Sequence, residues 1–389
     1  MATLGACVLS DPVVILGGGL MGLSIAHALA RAGEAVRVLS RRRTEAAGFV
    51  AAGMLAPHAE GLTGPLLALG QSSLALIPRW VASIEADSGL SCGLQSTGIV
   101  VPFGSTAERQ AYPTASFGEP LERADLEREV PGIGPRWPVG LLFPQDGQMD
   151  NRRCLMRALE AACVVRGVAF EEGSEVEGLL STSSAGAGLA GVRVRRADGE
   201  LHTVPCQRAV LTCGAWAAQL LPEVPVFPVK GQMLSLQGPR QALPRVLFGP
   251  GTYLVPRGDG LVVVGATTEP EAGFEPGLTP LGQRQLEEGV AALLPEARLW
   301  PAMERWWGFR PCTPDQGPLL GAGPMPGLWM AVGHHRNGVL LAAISAHLIA
   351  AAVGQRPLDP LSRERLRDFS PDRFQQNEGE TIRRALFWV

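Results

Sequence analysis

Two short apolar runs near the start of the chain flank a glycine-rich turn and a stretch with helical spacing. Residues 13–16 and 36–39 are the apolar runs, and "GGGLMG" occupies 17–22. The helical stretch continues to about Ala32, and Gly33 ends it. Short apolar runs next to glycine are typical of buried strands, and apolar residues three or four apart are typical of a helix. The pattern predicts a strand–helix–strand unit of the dinucleotide-binding kind.

Further along the chain, helical and alternating patterns follow one another in blocks. Residues 150–170 have helical spacing, a glycine stop and then a strand, whereas 192–204 and 252–267 alternate on both sides of a turn that contains Asp and Gly. The alternating segments predict two hairpins. Residues 339–353 form an apolar helix that is shorter than the roughly 20 residues of a membrane span. The mixture predicts an α/β protein with α+β elements and two interleaved domains.

Composition restricts the function without identifying it. The chain has 389 residues, enough for two or three domains, of which 46% are hydrophobic and 18% charged. A formal net charge of −3 gives no electrostatic case for a nucleic-acid or anionic-membrane partner. The seven cysteines are scattered without a C-x-x-C pair, so neither a disulfide framework nor a metal site is predicted. No signal peptide is visible at the start, and we expect a cytoplasmic protein.

The glycine-rich turn favours a nucleotide site. Gly17 permits a tight turn, Gly19 lets the backbone approach a pyrophosphate, and Gly22 allows the helix to pack closely on the strand. Leu20 and Met21 would begin that helix, whose unpaired N–H groups attract phosphate. A purely structural turn is the alternative, because this motif alone is weakly specific.

The end of the second strand departs from the usual pattern. A carboxylate normally holds the ribose there, but this chain has Ser40 followed by Arg41, Arg42 and Arg43. Arginines without an acid favour an NADP site, in which they would pair with the 2′-phosphate. A solvated basic loop would have the same composition, so this segment alone leaves the nucleotide open.

Small residues dominate positions 46–57. Ala51, Ala52 and Gly53 are consecutive, and a backbone with such small side chains can lie flat against a planar ligand. A close contact between two helices would use the same residues. Both interpretations stay open at this point.

Six motifs in order resemble one protein family. They are "GGGLMG", "AAGMLAP", "VLTCGAW", "YLVPRGDGLVVVGAT", "GFRP" and "GHHRNGV". Over residues 12–375 the chain resembles the D-amino-acid oxidase-type flavoproteins, and within them the glycine oxidase branch linked to thiamine biosynthesis. The resemblance implies noncovalent FAD, a discontinuous Rossmann-like FAD-binding domain and an antiparallel-sheet substrate domain. The boundaries that we expect are 1–60, 148–225 and 303–375 for the first, 61–147 and 226–302 for the second, and 376–389 for a tail.

The same resemblance implies where a substrate would bind. Four residues would lie near it: Arg310, Tyr253, Arg336 and Met54. Arg310 would grip the carboxylate of an amino acid, since its planar fork forms two parallel hydrogen bonds. The alternative for Arg310 is an internal ion pair with Asp315 or Glu304. Met54 would look the same as a core residue.

Further residues would contact the flavin nucleotide. Besides the turn, Ser40 and Arg41, the resemblance implies Ala52, Gly53, Met54, Val176, Gly214, His334, His335, Arg336, Asn337, Gly338 and Val339. In "GHHRNGV" the backbone N–H groups at the start of the last long helix would face the flavin pyrimidine edge and stabilise its negative charge. A surface loop with two histidines is the alternative there, and plain core strands are the alternative for Val176 and Gly214.

Four positions leave details open. With the flavin motifs present, the NADP signal at Ser40 is outweighed, although FAD binding there could be weaker. Cys312 does not match the position of covalent flavin attachment in sarcosine-oxidising relatives. Lys230 is the single lysine, for which a structural role competes with binding an ammonium group. Thr268 leaves the size of the pocket uncertain.

The function that the resemblance implies is oxidation of glycine or similar small amines, such as sarcosine or small D-amino acids. Hydride would pass from the α-carbon to the flavin, with glyoxylate or another 2-oxo acid, ammonia and, after reaction with oxygen, hydrogen peroxide as products. The alternatives are a dehydrogenase with another electron acceptor, a non-catalytic flavoprotein and an NADP-dependent reductase. The resemblance also suggests a homo-oligomer.

Overall fold

The structure is a computed structural model that describes residues 11–182 and 188–377. Its strands are β1 (Val13–Leu16), β2 (Val36–Ser40), β3 (Met54–Leu55), β4 (Leu94–Gln95), β5 (Ile99–Phe103), β6 (Glu119–Glu122), β7 (Val139–Phe143), β8 (Gly147–Met149), β9 (Ala169–Glu172), β10 (Glu175–Ser181), β11 (Leu189–Arg195), β12 (Leu201–Pro205), β13 (Ala209–Leu211), β14 (Phe227–Gln237), β15 (Val246–Gly249), β16 (Thr252–Pro256), β17 (Leu261–Gly265), β18 (Ala302–Cys312), β19 (Leu319–Ala322) and β20 (Leu328–Val332).

The α-helices are α1 (Leu20–Arg31), α2 (Gly64–Ser88), α3 (Thr106–Gln110), α4 (Arg123–Glu129), α5 (Met156–Val165), α6 (Ala217–Leu220), α7 (Pro280–Leu293), α8 (Gly338–Val353) and α9 (Pro360–Asp368). One π-helical segment, Asn151–Leu155, leads directly into α5. Both predicted hairpins are confirmed as β11–β12 and β16–β17, and so are the strand–helix–strand unit and the last long helix. No helix among the described residues is both long and apolar enough to cross a membrane.

A six-stranded sheet carries the strand–helix–strand unit. Its order is β19-β20-β13-β1-β2-β9, and every neighbouring pair except β19–β20 is parallel. Alternate residues of β1 face opposite layers: Val13 and Ile15 pack against α1, α5 and α8, whereas Val14 and Leu16 pack towards β10–β12. Parallel strands need both faces covered, which explains why β1 is apolar throughout.

The second large sheet has eight strands and is mixed. Its order is β18-β14-β17-β16-β15-β5-β7-β6, and all pairs are antiparallel except β15–β5. One face packs on α4 and α7, and the other packs on the segment that contains Ala52, Ala56 and Ala59. The α/β fold class is confirmed. The domain boundaries stay a prediction. Strand β18 pairs with β14 across the expected boundary at residue 303. Helix α2, which was expected in the substrate domain, packs in the same core as α1 and α8.

Candidate active site

A large cavity lies where the carboxyl ends of the parallel strands meet the eight-stranded sheet. Its volume is about 1200 Å³, above the roughly 300–1,000 Å³ of pockets for drug-sized ligands. Ligands of open α/β sheets bind at this edge of the sheet. The predicted site residues that line the cavity are Gly17, Gly19, Leu20, Met21, Ser40, Arg41, Ala52, Gly53, Met54, Val176, Gly214, Tyr253, Arg310, His334, His335, Arg336, Gly338 and Val339.

The glycine-rich turn prepares one end of this cavity for an anion. Helix α1 begins at Leu20 after Gly19, and no side chain caps its first N–H groups. These groups therefore remain available to a ligand, and the helix dipole favours a negative charge there. Gly22 lies behind the cavity wall, where a Cβ would overlap the carbonyl oxygen of Gly17. Only glycine permits this approach of helix to turn.

The three arginines after β2 all pair with carboxylates. Arg41 contacts two acids at 2.8 and 2.9 Å, Arg42 contacts one at 2.8 Å, and Arg43 contacts two at 2.8 and 2.9 Å. Their partners are Glu45, Glu160, Glu172 and Glu175. Each guanidinium thus has a carboxylate partner within the protein, so no 2′-phosphate is needed to account for the three arginines. This arrangement weakens the local argument for NADP and leaves Ser40, itself buried, at the end of the strand.

The small-residue segment lies against the cavity and is not a contact between two helices. Ala51, Ala52 and Gly53 precede β3, which pairs with β8. The carbonyl of Gly53 accepts a hydrogen bond from the N–H of Met149 at 2.8 Å, and this bond fixes the segment. The backbone here can therefore approach a ligand closely.

Helix α8 directs its first N–H groups at the cavity. It begins at Gly338, after the buried N-cap residue Asn337. The Asn337 side chain accepts no capping hydrogen bond and does not line the cavity. His335 has a φ of +48°, a left-handed conformation that is rare outside glycine. Its N–H donates to the carbonyl of Pro311 at 2.8 Å. His334 is buried, with Nε2 2.9 Å from the Ser345 hydroxyl, so the alternative of two surface histidines does not hold for it.

Burial disfavours the charged form of the two histidines that precede α8. It lowers the pKa of His334 and of His335 to about 3. Both rings are therefore neutral at physiological pH, and neither adds a positive charge to the cavity.

Arg310 projects from β18 into the opposite end of the cavity. Its Nη1 donates to the carbonyl oxygen of Thr267 at 3.0 Å and to that of Lys230 at 3.5 Å. These carbonyls hold the guanidinium in place without neutralising it. The alternative ion pairs are not formed: Glu304 pairs with Arg152, and Asp315 pairs with Arg373.

Tyr253 lies close to Arg310. Its ring stacks on Phe248 with 6.3 Å between centroids, and its hydroxyl is 3.7 Å from the sulfur of Met233. Burial raises the pKa of Tyr253, against the opposing effect of the nearby Arg310 and Arg336 guanidinium groups. The hydroxyl therefore keeps its proton and can donate a hydrogen bond.

Glu60 is a site residue that the sequence pattern did not reveal. Its carboxylate lies 2.7 Å from Nε of Arg336, and its side chain is only 5% exposed. Burial raises the pKa of Glu60, while Arg336 opposes that shift. The available signal was the single acid in "APHAEG", directly after the small-residue segment. Without a partner in view, that acid looked like an ordinary turn residue.

Three of the positions left open by the sequence have clear surroundings. Lys230 is buried outside the cavity lining, with Nζ 3.6 Å from Glu269, which supports its structural interpretation. Thr268 lines the cavity. Cys312 also lines it, and burial raises the pKa of its thiol to about 12, so the thiolate needed for covalent attachment is scarce.

Fold and cavity together define a dinucleotide-binding protein in which a mixed sheet covers the nucleotide edge of a parallel sheet. A family model described as FAD dependent oxidoreductase matches residues 12–352. The chain belongs to this family, and FAD is its cofactor. The resemblance found in the motifs is confirmed.

Individual relatives are similar over most of the chain. Glycine oxidase of Pseudomonas aeruginosa is 30% identical over 366 residues, which cover 90% of this chain and 98% of the relative. The bifunctional protein ThiO/ThiG of a Nostoc species is 40% identical over 90% of this chain and 53% of the relative. This chain thus spans about half the length of its ThiO/ThiG relatives. The crystal structure of glycine oxidase from Geobacillus kaustophilus has a TM-score of 0.84 at 28% identity, covering 94% of this chain and 99% of that one.

Proposed function

We propose that the protein oxidises glycine or a similarly small amine, with Arg310 as the anchor for the substrate carboxylate. The charge pattern of the cavity carries this proposal. Among the described residues that line it, Arg310 is the one cationic side chain without a carboxylate oxygen within 4 Å. A partly buried charge without a carboxylate partner is costly, so its presence in this place is best explained by an anionic ligand.

The surroundings of Arg310 suit an amino acid. Two backbone carbonyls orient the guanidinium, and two parallel hydrogen bonds to a carboxylate would fix the direction of the α-carbon as well as the charge. Tyr253 supplies a protonated hydroxyl beside it. Met54 and Thr268 also line the cavity and would limit the size of the substrate.

FAD fits the remaining part of the cavity on three counts. The free N–H groups at the start of α1 would hold the pyrophosphate, and Ser40 and Val176 would lie along the adenosine. The small residues Ala52 and Gly53, together with Gly214, leave room for a planar ring system. The first N–H groups of α8 would face the flavin and favour negative charge there. Bound FAD would supply the hydride acceptor, while the protein orients the substrate.

The relatives supply the rest of this proposal. Names such as glycine oxidase support glycine as the substrate, with oxygen as the final electron acceptor, and the ThiO/ThiG names support a role in thiamine biosynthesis. A cytoplasmic location is supported by the six described cysteines, which are all unpaired. A homo-oligomer remains a suggestion of the family resemblance.

The test is a visible absorbance spectrum of the purified holoprotein without oxygen, before and after addition of glycine. We expect a flavin spectrum that bleaches with glycine and returns in air with formation of hydrogen peroxide. A flavin that glycine leaves oxidised would refute glycine as the substrate and direct the search to sarcosine and small D-amino acids. Bleaching that is not reversed by air would favour the dehydrogenase.

A further inference from the structure

The charged residues at the two ends of the cavity are balanced differently. At the nucleotide end the arginines are matched by acids, as described for Arg41. At the substrate end there are two guanidinium groups, Arg310 and Arg336, and one carboxylate, Glu60. The histidines add no charge there. The substrate end therefore has one positive charge in excess among the described residues.

The position of this excess charge is set by the pairing of Glu60. Its carboxylate contacts Arg336 at 2.7 Å, whereas Arg310 contacts only backbone carbonyls among the described residues. Arg336 also lies over the ring of Phe248, with 5.8 Å from Cζ to the centroid. The ring orients this arginine, whose side chain is 44% exposed, and the ion pair with Glu60 offsets its charge.

The turn that carries Glu60 is itself firmly held. The carboxylate of Asp146 accepts hydrogen bonds from the N–H groups of His58 and Ala59, at 3.2 and 2.7 Å. The hydroxyl of Tyr112 donates to the carbonyl of Ala59 at 2.6 Å, and that of Thr114 donates to the carbonyl of His58 at 2.6 Å. With its backbone clamped on both sides, Glu60 has a fixed position opposite Arg336.

We propose that Glu60 determines specificity: by neutralising Arg336, it leaves Arg310 as the single free guanidinium, so that the site accepts one carboxylate and rejects a second. A substrate with one carboxylate completes the charge balance. A dicarboxylate would bring its second anion towards the Glu60 carboxylate, and like charges at short range in a partly desolvated site repel strongly. This inference rests on the proposed function of Arg310, and it adds the reason for selecting a monocarboxylate.

Binding of two unreactive acids tests the inference without any turnover. Acetate and malonate are titrated calorimetrically into the FAD-loaded protein at about pH 8, where both acids are fully ionised. We expect the wild type to bind acetate more tightly than malonate. In Glu60→Gln, the freed Arg336 can bind the second carboxylate, so the preference for malonate over acetate should rise by about tenfold or more.

Two further variants make the result decisive. Glu304→Gln removes an exposed, ion-paired carboxylate outside the cavity and should leave the preference unchanged. Arg336→Gln removes the cation that opposes the raised pKa of Glu60, so Glu60 should take up a proton and the preference between the two acids should stay that of the wild type. A selective loss of malonate binding in this variant would mean that Arg336 already binds the second carboxylate in the wild type, which tests the proposal even if Glu60→Gln does not load FAD.

The possible failures differ in meaning. If the wild type binds neither acid, the carboxylate anchor of the proposed function is refuted. If acetate binds but the preference in Glu60→Gln equals that of the wild type, or Arg336→Gln selectively loses malonate, Arg310 can still be the anchor while the role of Glu60 is refuted.

Discussion

Gly231 lies directly beneath the guanidinium of Arg310, so Gly231→Ala tests the carboxylate anchor while leaving that arginine in the chain. A Cβ on Gly231 would be 2.6 Å from Nη2 and 2.7 Å from Cζ of Arg310. Comfortable contacts between such atoms begin near roughly 3.5 Å. The guanidinium must therefore move by about 1 Å, which would also disturb its hydrogen bond to Thr267.

A displacement of that size should lower the rate of catalysis strongly and change the stability of the fold little. Misplacement by about 1 Å can cost about 100-fold in rate, equivalent to about 3 kcal/mol of transition-state binding. We expect kcat/KM for glycine to fall by about that factor. Gly231 is not in a left-handed conformation, so alanine adds no backbone strain, and the melting temperature and FAD content should change little.

The measurement is steady-state peroxide formation over a wide range of glycine concentrations, together with flavin content and thermal unfolding. Gly258→Ala is the matched control, because a Cβ there meets nothing within 4 Å and its φ is not left-handed. If Gly231→Ala has full FAD content and the kinetic constants of the wild type, Arg310 does not hold the substrate in this position and the proposed anchor is wrong.

Three further changes have defined outcomes. Ser40→Ala removes a neutral hydrogen-bonding group at the predicted ribose position, so FAD should bind about two- to tenfold more weakly in a fluorescence titration of apoprotein, and unchanged affinity would contradict the assignment. His334 has a pKa of about 3 in the folded protein, below its ordinary 6.5, so its contribution to stability is complete above pH 6.5 and is lost as pH falls towards 3. His334 alone should therefore lower the free energy of unfolding in urea by about 2 kcal/mol between about pH 7 and about pH 5. In His334→Asn this pH-dependent loss should be absent. Lys230→Gln strands its partner Glu269 and should lower the free energy of unfolding by about 3 kcal/mol with KM unchanged; a large KM effect without loss of stability would instead favour a role in binding the amine.

The elements that the sequence predicted well depend on neighbours along the chain. The strand at 13–16, the helix after it and the hairpin around Asp259 are local patterns of apolar spacing and turn residues. The family and the combination of a Rossmann-like domain with an antiparallel sheet followed from six motifs read together. The order of the strands within each sheet was not predicted, because strand pairing joins segments that are far apart in the chain.

The parts of the site that escaped prediction depend on distant pairs. Glu60 meets Arg336 across most of the chain, and Arg43 meets Glu172 after the fold brings β9 beside β2. The space beneath Arg310 depends on the register in which Gly231 faces Gly308 in the β14–β18 pair. A residue's charge is visible in a sequence, but whether that charge is neutralised is decided only by the fold.

The hydrogen bond from the N–H of His335 to the carbonyl of Pro311 joins two parts of the protein with different tasks. Pro311 directly follows Arg310, and His335 lies three residues before the start of helix α8. This bond couples the backbone beside the arginine to the start of the helix. With the carboxylate bound at Arg310 and the flavin at α8, as proposed, the distance between the two would be held by the backbone, and the length of a ligand as well as its charge would affect its binding.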